Sequence, residues 1–435
     1  MVSPIKLILI ALACKLSGNL SLRDSTGRCS KICASAVAFA VIVGGLNNVS
    51  LLCADDWPQW RGPQRNGISL ETNWSDTWPE SGPKILWRAQ VGTGFSSIAV
   101  ANGRLFTMGN SSDVDSVWCL NALTGKKIWQ HSYPADLDDR FFEGGPTSTP
   151  VVDGDRVYVL SRQGLLVCLQ IENGEMHWSK NIAAETAAAI PGWGFAGSPV
   201  IHNNLLLLNV GSAGTAVNKH NGEVQWKSGA GEAGYMTPLP YEIGQRNLIL
   251  VASGKAYSAV EVESGEVLWQ HRWLTTYGCN AADPIVKSHE VFLSSGYNRG
   301  SALLTIAGKA PQVVWTTKEF QNQLSSSLML DGFIYGVDGN DTGERNLKCI
   351  EFATGRVVWS IGGFGSATMM SANGRLIILS DDGELVVGLA SRSEFRPTAR
   401  AKVLDEKCWT VPVLAHGLIY CRSTAGEIVC VDLRR

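Results

Sequence analysis

The sequence has little charge, and neither sign is in excess. Charged residues make up 17% of its 435 positions, with 37 Lys and Arg against 39 Asp and Glu, for a formal net charge of −2. Nucleic-acid binding needs a cationic surface, so we exclude nucleic acid as a partner. A hydrophobic content of 45% excludes a disordered chain, and 16 Pro are too few for a collagen. The sequence therefore describes a folded, nearly neutral protein.

Common catalytic signatures are also missing. There is no Gly-x-Ser-x-Gly turn to present a nucleophilic serine, no glycine-rich loop with Lys to hold a phosphate, and no Cys-x-x-Cys-His for a haem. The seven His residues show no metal-ligand spacing. These patterns give no support for an enzyme, so we expect no catalytic residue and no metal site.

Two apolar runs precede residue 55. The first, residues 7–14, is too short to span a bilayer. The second, residues 32–46, follows three basic residues and precedes a small residue at Ala54, as in a signal peptide. We predict a leader over residues 1–54, cleavage after Ala54, and export to the periplasm or cell envelope. The alternative is an uncleaved anchor, since no charge occurs from residue 32 to residue 54, and the leader would then be the only membrane contact.

One motif recurs after this leader: a turn that contains Gly, three further residues, and then Trp. It occurs as Thr124-Gly125 before Trp129 and as Asn173-Gly174 before Trp178. The period is about 45 residues, the length of a four-stranded propeller blade. The seventh repeat has no Trp where the period expects one. The tryptophans on this period are Trp87, Trp129, Trp178, Trp226, Trp269, Trp315 and Trp359.

Each period also contains short alternating apolar runs joined by tight turns. Pairs such as Asp153-Gly154 separate the runs, and Gly takes the positive φ that these turns need. There are eight repeats, and the last one ends at Arg435 without its Trp strand. The strand around Trp87 has no repeat before it, so it is free to complete that blade. We predict an all-β, eight-bladed β-propeller of four-stranded antiparallel blades over residues 83–435, closed by this N-terminal strand pairing with the C-terminal blade.

These repeats resemble the pyrroloquinoline-quinone-like β-propeller family, whose blades carry the same turn and docking Trp. The resemblance covers roughly residues 87–435 and is greatest to the non-catalytic branch that includes the BamB-type outer-membrane assembly factor. The opening segment, residues 55–63, is similar to exported propellers of planctomycete bacteria. The resemblance implies that the seven tryptophans dock neighbouring blades, that no cofactor is bound, and that the chain is a scaffold.

The catalytic branch of the same family supplies the alternative. Its members hold pyrroloquinoline quinone and calcium in the central funnel and use a carboxylate as base. Asp138, Asp139, Glu143 and Asp283 precede inner strands, where a funnel mouth would lie. These four acids form no recognisable catalytic motif, and the adjacent Cys pair of those dehydrogenases is absent. We keep the quinone- and calcium-dependent oxidoreductase as the alternative and expect these acids to be solvated.

The 11 cysteines invite a disulfide interpretation in an exported protein. Four of them recur at one place in the repeat, where a small side chain would face the neighbouring blade: Cys119, Cys168, Cys349 and Cys430. Outside the leader this leaves Cys279, Cys408 and Cys421, and a bridge between Cys408 and Cys421 remains open.

Aromatic residues precede the inner strands in every repeat. Loops at one end of a rigid scaffold often bind partners, so we predict a ligand or partner surface there. The alternative is that these rings pack the funnel entrance or hold residues 55–82, a Trp- and Pro-rich segment that we predict to be an extended strap across the propeller. We expect a monomer that binds proteins or peptides of the cell envelope; binding of a carbohydrate or small ligand is a further alternative, because aromatic rings also stack on sugars. The predicted surface consists of Phe142, Trp193, Phe195, Tyr235, Tyr277 and Trp409.

Overall fold

The computed structural model describes residues 56–307, 310–339 and 343–435. The predicted leader, residues 1–54, lies outside the described residues. Within the described ranges, no helix has both the length and the apolar character that crossing a membrane requires. Nearly all regular structure in these ranges is β-strand, apart from a short helix, α1 (Ile182–Thr186), and a single 3-10 turn (Thr276–Gly278).

Eight sheets form the blades of a β-propeller, and each contains four antiparallel strands, as the repeat predicts. Two strands precede the first blade in the chain, β1 (Ile68–Ser69) and β2 (Lys84–Gln90). Blades 1 and 2 contain β3 (Ala99–Ala101), β4 (Arg104–Asn110), β5 (Val114–Asn121), β6 (Lys127–Pro134), β7 (Val151–Asp153), β8 (Arg156–Leu160), β9 (Leu165–Gln170) and β10 (Met176–Asn181). Blades 3 and 4 contain β11 (Val200–His202), β12 (Leu205–Leu208), β13 (Thr215–Asn218), β14 (Val224–Lys227), β15 (Leu239–Ile243), β16 (Arg246–Ala252), β17 (Ala256–Glu261) and β18 (Val267–Arg272).

The second half of the chain repeats this plan. Blades 5 and 6 contain β19 (Ile285–Lys287), β20 (Glu290–Ser295), β21 (Gly300–Thr305), β22 (Gln312–Thr317), β23 (Leu328–Leu330), β24 (Phe333–Asp338), β25 (Asn346–Glu351) and β26 (Val357–Ile361). Blades 7 and 8 contain β27 (Thr368–Ala372), β28 (Arg375–Leu379), β29 (Glu384–Leu389), β30 (Pro397–Lys402), β31 (Val413–Ala415), β32 (Leu418–Arg422) and β33 (Glu427–Asp432). The fourth strand of blade 8 comes from the start of the domain.

Strand β2 closes the ring. It pairs antiparallel with β33, with Trp87 opposite Cys430 and Arg88 opposite Val429. The order in blade 8 is therefore β2-β33-β32-β31, which confirms the predicted closure. Without β2, the backbone N–H and C=O groups along the edge of β33 would be unpaired.

The hydrophobic core lies between neighbouring blades, where apolar side chains from facing sheets fill each junction. The four repeated cysteines lie in these junctions and are at most 1% exposed, which confirms their packing role. Burial raises the pKa of Cys119 to about 12, so this thiol stays protonated at neutral pH. Cys408 and Cys421 are buried thiols with no bond between them.

The docking tryptophans lie on outer strands, and six of the seven donate the indole N–H to a carbonyl in the turn of the next blade; Trp269 makes no such bond. The Trp129 indole N–H, for example, donates to the carbonyl of Ile171 at 2.8 Å. The turn glycine is required, because a Cβ on Gly174, whose φ is +73°, would lie 2.6 Å from the Trp129 ring. The same indole-to-carbonyl bond joins Trp87 to Ala122, Trp178 to Lys219, Trp226 to Val262, Trp315 to Phe352, and Trp359 to Ser391.

Residues 56–71 occupy the axis of the ring, and we call this segment the axial plug. Strand β1 pairs in parallel with β27, the inner strand of blade 7. Trp57 bridges to Val100 of blade 1. The plug also forms hydrogen bonds with four other blades. It accepts from blades 2 and 8, where Val152 N donates to Pro58 O at 2.8 Å and Gly417 N donates to Glu71 Oε2 at 2.7 Å. It donates to blades 3 and 6, from Arg65 Nη2 to Ile201 O at 3.1 Å and from Arg61 Nη2 to Ser327 O at 2.7 Å.

The remainder of the predicted strap crosses the outside of blades 7 and 8, where the docking Trp is missing. Ala399 of β30 occupies the position of that Trp. The Leu433 carbonyl, which would receive an indole N–H, accepts instead from Ser75 N at 2.7 Å. Trp74 is buried beside it at 2% exposure, and Trp78 donates to the Arg400 carbonyl at 3.3 Å. Residues 74–78 thus replace the missing contact.

Candidate functional site: an aromatic funnel above the axial plug

The loops before the inner strands surround a cavity of about 840 Å³ at one end of the ring, which we call the funnel. Short inner strands hold these loops close to the axis, so side chains distant in sequence meet there. Seven of the eight blades contribute lining residues; the blade 7 loop does not, because its Phe364 is buried at 5% exposure. The main lining side chains are Phe95, Phe141, Phe142, Glu143, Trp193, Tyr235, Cys279, Tyr297, Gln323, Lys407 and Trp409.

One wall of the funnel is built around Trp193. Its ring centroid lies 5.6 Å from that of Tyr235, 6.1 Å from Tyr277 and 6.3 Å from Phe141, all in edge-to-face arrangements. Tyr277 also contacts Tyr297 at 5.6 Å. Phe141 and Tyr277 are 69% and 71% exposed, so this wall presents two open aromatic side chains at the rim.

The opposite wall combines three rings with an ion pair. The Phe95 ring centroid lies 5.3 Å from that of Phe142 and 6.0 Å from that of Trp409. The Lys407 ammonium lies 3.7 Å from the Trp409 ring centroid and 2.7 Å from the Glu143 carboxylate. The pair leaves little net charge on this wall.

Arg162 positions the loops that carry both walls. Its guanidinium donates to the Trp193 carbonyl at 3.2 Å, to the Leu137 carbonyl at 3.1 Å and to the Asp138 carboxylate at 3.0 Å. Burial lowers the pKa of Arg162, and Asp138 opposes that effect. A hydrogen bond from Arg140 holds the pKa of Asp138 below its usual range. Asp138, predicted to be a solvated acid, is therefore part of a loop-ordering ion pair.

The axial plug forms the floor of the funnel. The Trp60 indole N–H donates to the Asp283 carboxylate at 2.6 Å, and Arg61 lies 3.9 Å from the same carboxylate. Thr237 N donates to its other oxygen at 3.0 Å. Burial raises the pKa of Asp283, and the charge of Arg61 opposes that shift. Asp283, one of the acids predicted to lie at the funnel mouth, is thus already bonded to the axial plug.

Three buried polar atoms at the funnel have no hydrogen-bond partner: Gln323 Oε1, Trp409 Nε1 and Glu143 Oε2. Gln323 is only 3% exposed, and its Nε2 lies 3.6 Å from Cys279 Sγ. Unsatisfied buried groups of this kind are costly unless a ligand or water bonds them. Sequence reasoning missed Gln323 and Lys407 because it searched the loops before the inner strands for aromatic residues, and these two residues in the same loops are polar.

Most of the predicted surface residues meet at the funnel. Phe142, Trp193, Tyr235 and Trp409 line it, and Tyr277 stands on the rim. Phe195 lies elsewhere: it is 1% exposed in the core between blades 2 and 3. Its N–H donates to the Arg162 carbonyl at 2.9 Å, and this loop geometry turns the ring away from the cavity.

The residues at the funnel do not fit pyrroloquinoline quinone with calcium. The quinone is a planar tricarboxylate, so its site needs cations for the carboxylates and oxygen ligands for the metal. Among the described lining residues Lys407 is the one cation, and it is paired with Glu143. Asp283 is bound by the plug, and no three His, Cys, Asp or Glu side chains of the described ranges form a metal-binding group.

The eight blades and their docking tryptophans define a pyrroloquinoline-quinone-like β-propeller. Residues 115–361, more than half of the chain, match the family described as outer membrane protein assembly factor BamB, and the chain belongs to this family. A comparison with curated proteins gave no match. The comparisons do not support a planctomycete origin.

Solved structures with this fold include a BamB protein and two dehydrogenases. BamB from Moraxella catarrhalis is 14% identical, with a TM-score of 0.58 over 81% of this chain and 98% of that chain. Quinohemoprotein alcohol dehydrogenase from Comamonas testosteroni is 12% identical, with a TM-score of 0.62 over 86% and 80% of the two chains. A europium-containing methanol dehydrogenase is 10% identical, with a TM-score of 0.65 over 86% and 91%. At these identities the likeness establishes the fold and not the activity.

Proposed function

We propose that the protein is an exported, non-catalytic scaffold that binds a protein or peptide of the cell envelope at the funnel. The observation that carries the proposal is the aromatic cavity of about 840 Å³ with Phe141 and Tyr277 exposed at its rim. Exposed aromatic side chains around a concave site are typical anchors of protein interfaces. The name of the matched family, an assembly factor of the outer membrane, supports the same role.

Removing the two rim anchors tests this proposal. The double variant Phe141→Ser with Tyr277→Ser changes exposed side chains, so its stability should stay within about 0.5 kcal/mol per site of the wild type. The matched control is Val313→Ser, an exposed apolar residue on β22. Each tagged protein is incubated with cell-envelope extract, and the bound proteins are quantified by mass spectrometry and confirmed by reverse purification.

We expect a partner that the wild type and the control retain and the double variant loses. A partner retained equally by the double variant would contradict the funnel as the binding site. Trp193→Ala with Trp409→Ala then tests the inner walls. Export is tested separately by fractionation and by N-terminal sequencing of the mature chain, which should begin at Asp55.

A further inference from the structure

A second cavity, of about 410 Å³, opens between blades 8 and 1 beside the funnel, and we call it the interblade cleft. Its walls come from the end of β2, from β4, β5 and β6, and from the turn between β32 and β33. The side chains that matter for its chemistry are Gln90, Asn110, Ser112, Ser116, Trp118 and Gln130.

None of the described residues that line the cleft is charged. The polar groups are amides and hydroxyls, which donate and accept hydrogen bonds equally well, together with one indole. Such a lining gives no attraction to a phosphate or an ammonium group. It matches a neutral ligand that carries many hydroxyl groups and an apolar face.

The blade repeat does not require Trp118. This residue directly precedes Cys119, which pairs with the docking residue Trp129. A large aromatic ring at this position occurs only in blade 1 of the eight described blades. The residues at the same position in the other blades are Val167, Thr215, Ser258, Ala302, Lys348, Val386 and Val429.

Two buried polar atoms of these cleft residues lack a partner. Asn110 is 2% exposed; its Nδ2 donates to Asp115 at 2.7 Å and to the Ala135 carbonyl at 2.9 Å, but its Oδ1 has no donor. The Trp118 indole N–H is also buried and has no acceptor. Both atoms are buried, so each gains its missing partner only when a polar ligand shifts the side chains around it.

We propose that the interblade cleft binds a neutral oligosaccharide. The apolar face of one sugar ring packs on Trp118, and its hydroxyls donate to the amide oxygens of Gln90, Asn110 and Gln130. The amide N–H groups of Asn110 and Gln130 already bond within the protein. The exposed side chain of Lys127, whose ammonium lies 5.6 Å from the Trp118 ring centroid, moves aside or bonds a hydroxyl. A neighbouring cavity of about 360 Å³ shares Gln90 and Ala425 with the cleft and has room for a further sugar unit. The cleft shares Thr93 with the funnel lining, but the residues changed in the two tests differ, so either proposal can fail alone.

The test uses the purified protein and four trisaccharides: maltotriose, cellotriose, mannotriose and N,N′,N″-triacetylchitotriose. Saturation-transfer NMR and isothermal titration calorimetry should show saturable binding of at least one of them. Trp118→Val, which introduces the residue of blade 2, should weaken that binding roughly tenfold or more. Gln130→Ala should weaken it as well. Gln270→Ala is the matched control, because Gln270 has the same strand position in blade 4 and bonds Ser258 at 3.0 Å.

Three results would overturn the proposal: no saturable binding of any trisaccharide, binding unchanged in both cleft variants, or binding lost in the funnel variant Phe141→Ser with Tyr277→Ser. If Trp118→Val does not fold, as judged by its circular dichroism and melting curve, Gln130→Ala decides alone.

Discussion

At the scale of single residues, a glycine and a tryptophan act as a pair at the blade junctions. The turn glycine takes a positive φ, and the tryptophan of the preceding blade fills the space where a Cβ would be. Two demands therefore fall on one position: backbone conformation and close contact. They can be separated, because Gly174 has both and Gly154, with a φ of +60°, has no atom within 4 Å of its ideal Cβ.

Gly174→Ala should lower the free energy of unfolding by roughly 2–5 kcal/mol, the sum of a left-handed backbone penalty and overpacking against Trp129. Gly154→Ala, the matched control, should lose only the backbone part, roughly 1–2 kcal/mol. Urea denaturation of both variants measures the difference. Equal losses would show that the close approach to the indole is unimportant.

Asp115 of β5 is a buried acid at 3% exposure, and burial raises its pKa to about 6 from 3.8, against a hydrogen bond from Asn110. Between pH 4 and pH 6 the Asp115 carboxyl holds its proton more tightly in the folded state than in the unfolded state. Protonation of Asp115 therefore stabilises the fold at low pH, and this contribution is lost as pH rises from 4 to 6. Relative to Asp115→Asn, the wild type should therefore lose up to about 3 kcal/mol on going from pH 4 to pH 7. Urea unfolding of both proteins at the two pH values gives the comparison, and parallel losses would contradict it.

The roles that could be predicted for single residues were those of positions that recur in several repeats. Trp129 and Cys119 belong to positions that recur, so their packing follows from the period. Phe195 occurs once in its loop, and only the hydrogen bond to the Arg162 carbonyl decides that its ring faces the core. Gln323 has no pattern at all, since its meaning comes from the cavity around it.

At the scale of elements, two segments from the start of the domain hold the ring together. Strand β2 could be predicted, because it carries a docking Trp and the last repeat lacks one strand. The axial plug could not: β1 has only two residues, and the partners of Arg61 and Trp60 lie more than 200 positions away. Its prolines correctly indicated irregular backbone, but nothing in the sequence says which inner strands it meets.

Replacing residues 84–90 with a Gly/Ser segment of equal length keeps the plug tethered and removes β2. We expect a strong loss of thermal stability and self-association through the exposed edge of β33. The matched control, Lys84→Ser with Arg88→Ser, keeps the strand and removes the ion pairs with Asp432 and Glu427, together with the 2.9 Å hydrogen bond from Arg88 to the Val403 carbonyl. It should cost about 0–1 kcal/mol per pair. Calorimetry and light scattering follow both variants, and a replacement that melts like the control would refute closure by β2.

At the scale of the whole molecule, the number of blades follows from the period and the length, but the activity does not. The same fold occurs in BamB from Moraxella catarrhalis and in quinohemoprotein alcohol dehydrogenase from Comamonas testosteroni. In this protein the axial plug occupies the centre of the ring. Here Arg61 and Trp60 of the plug engage Asp283 beneath the funnel, so this carboxylate is not free to act as a base or a metal ligand.

This arrangement makes a specific prediction about the cofactor. Purified protein incubated with pyrroloquinoline quinone and Ca²⁺ should show no tight binding by calorimetry and no dye reduction with alcohols or aldose sugars, because the lining offers one paired cation to a tricarboxylate. A quinoprotein dehydrogenase assayed in parallel serves as the positive control. Arg61→Ala with Trp60→Ala tests the separate contribution of the plug, since it removes the two plug side chains that engage Asp283 and leaves the bond from Thr237 N in place. Tight quinone binding with dye reduction by the wild type would overturn the scaffold proposal, and binding gained only in the double variant would identify the plug as the element that excludes the cofactor.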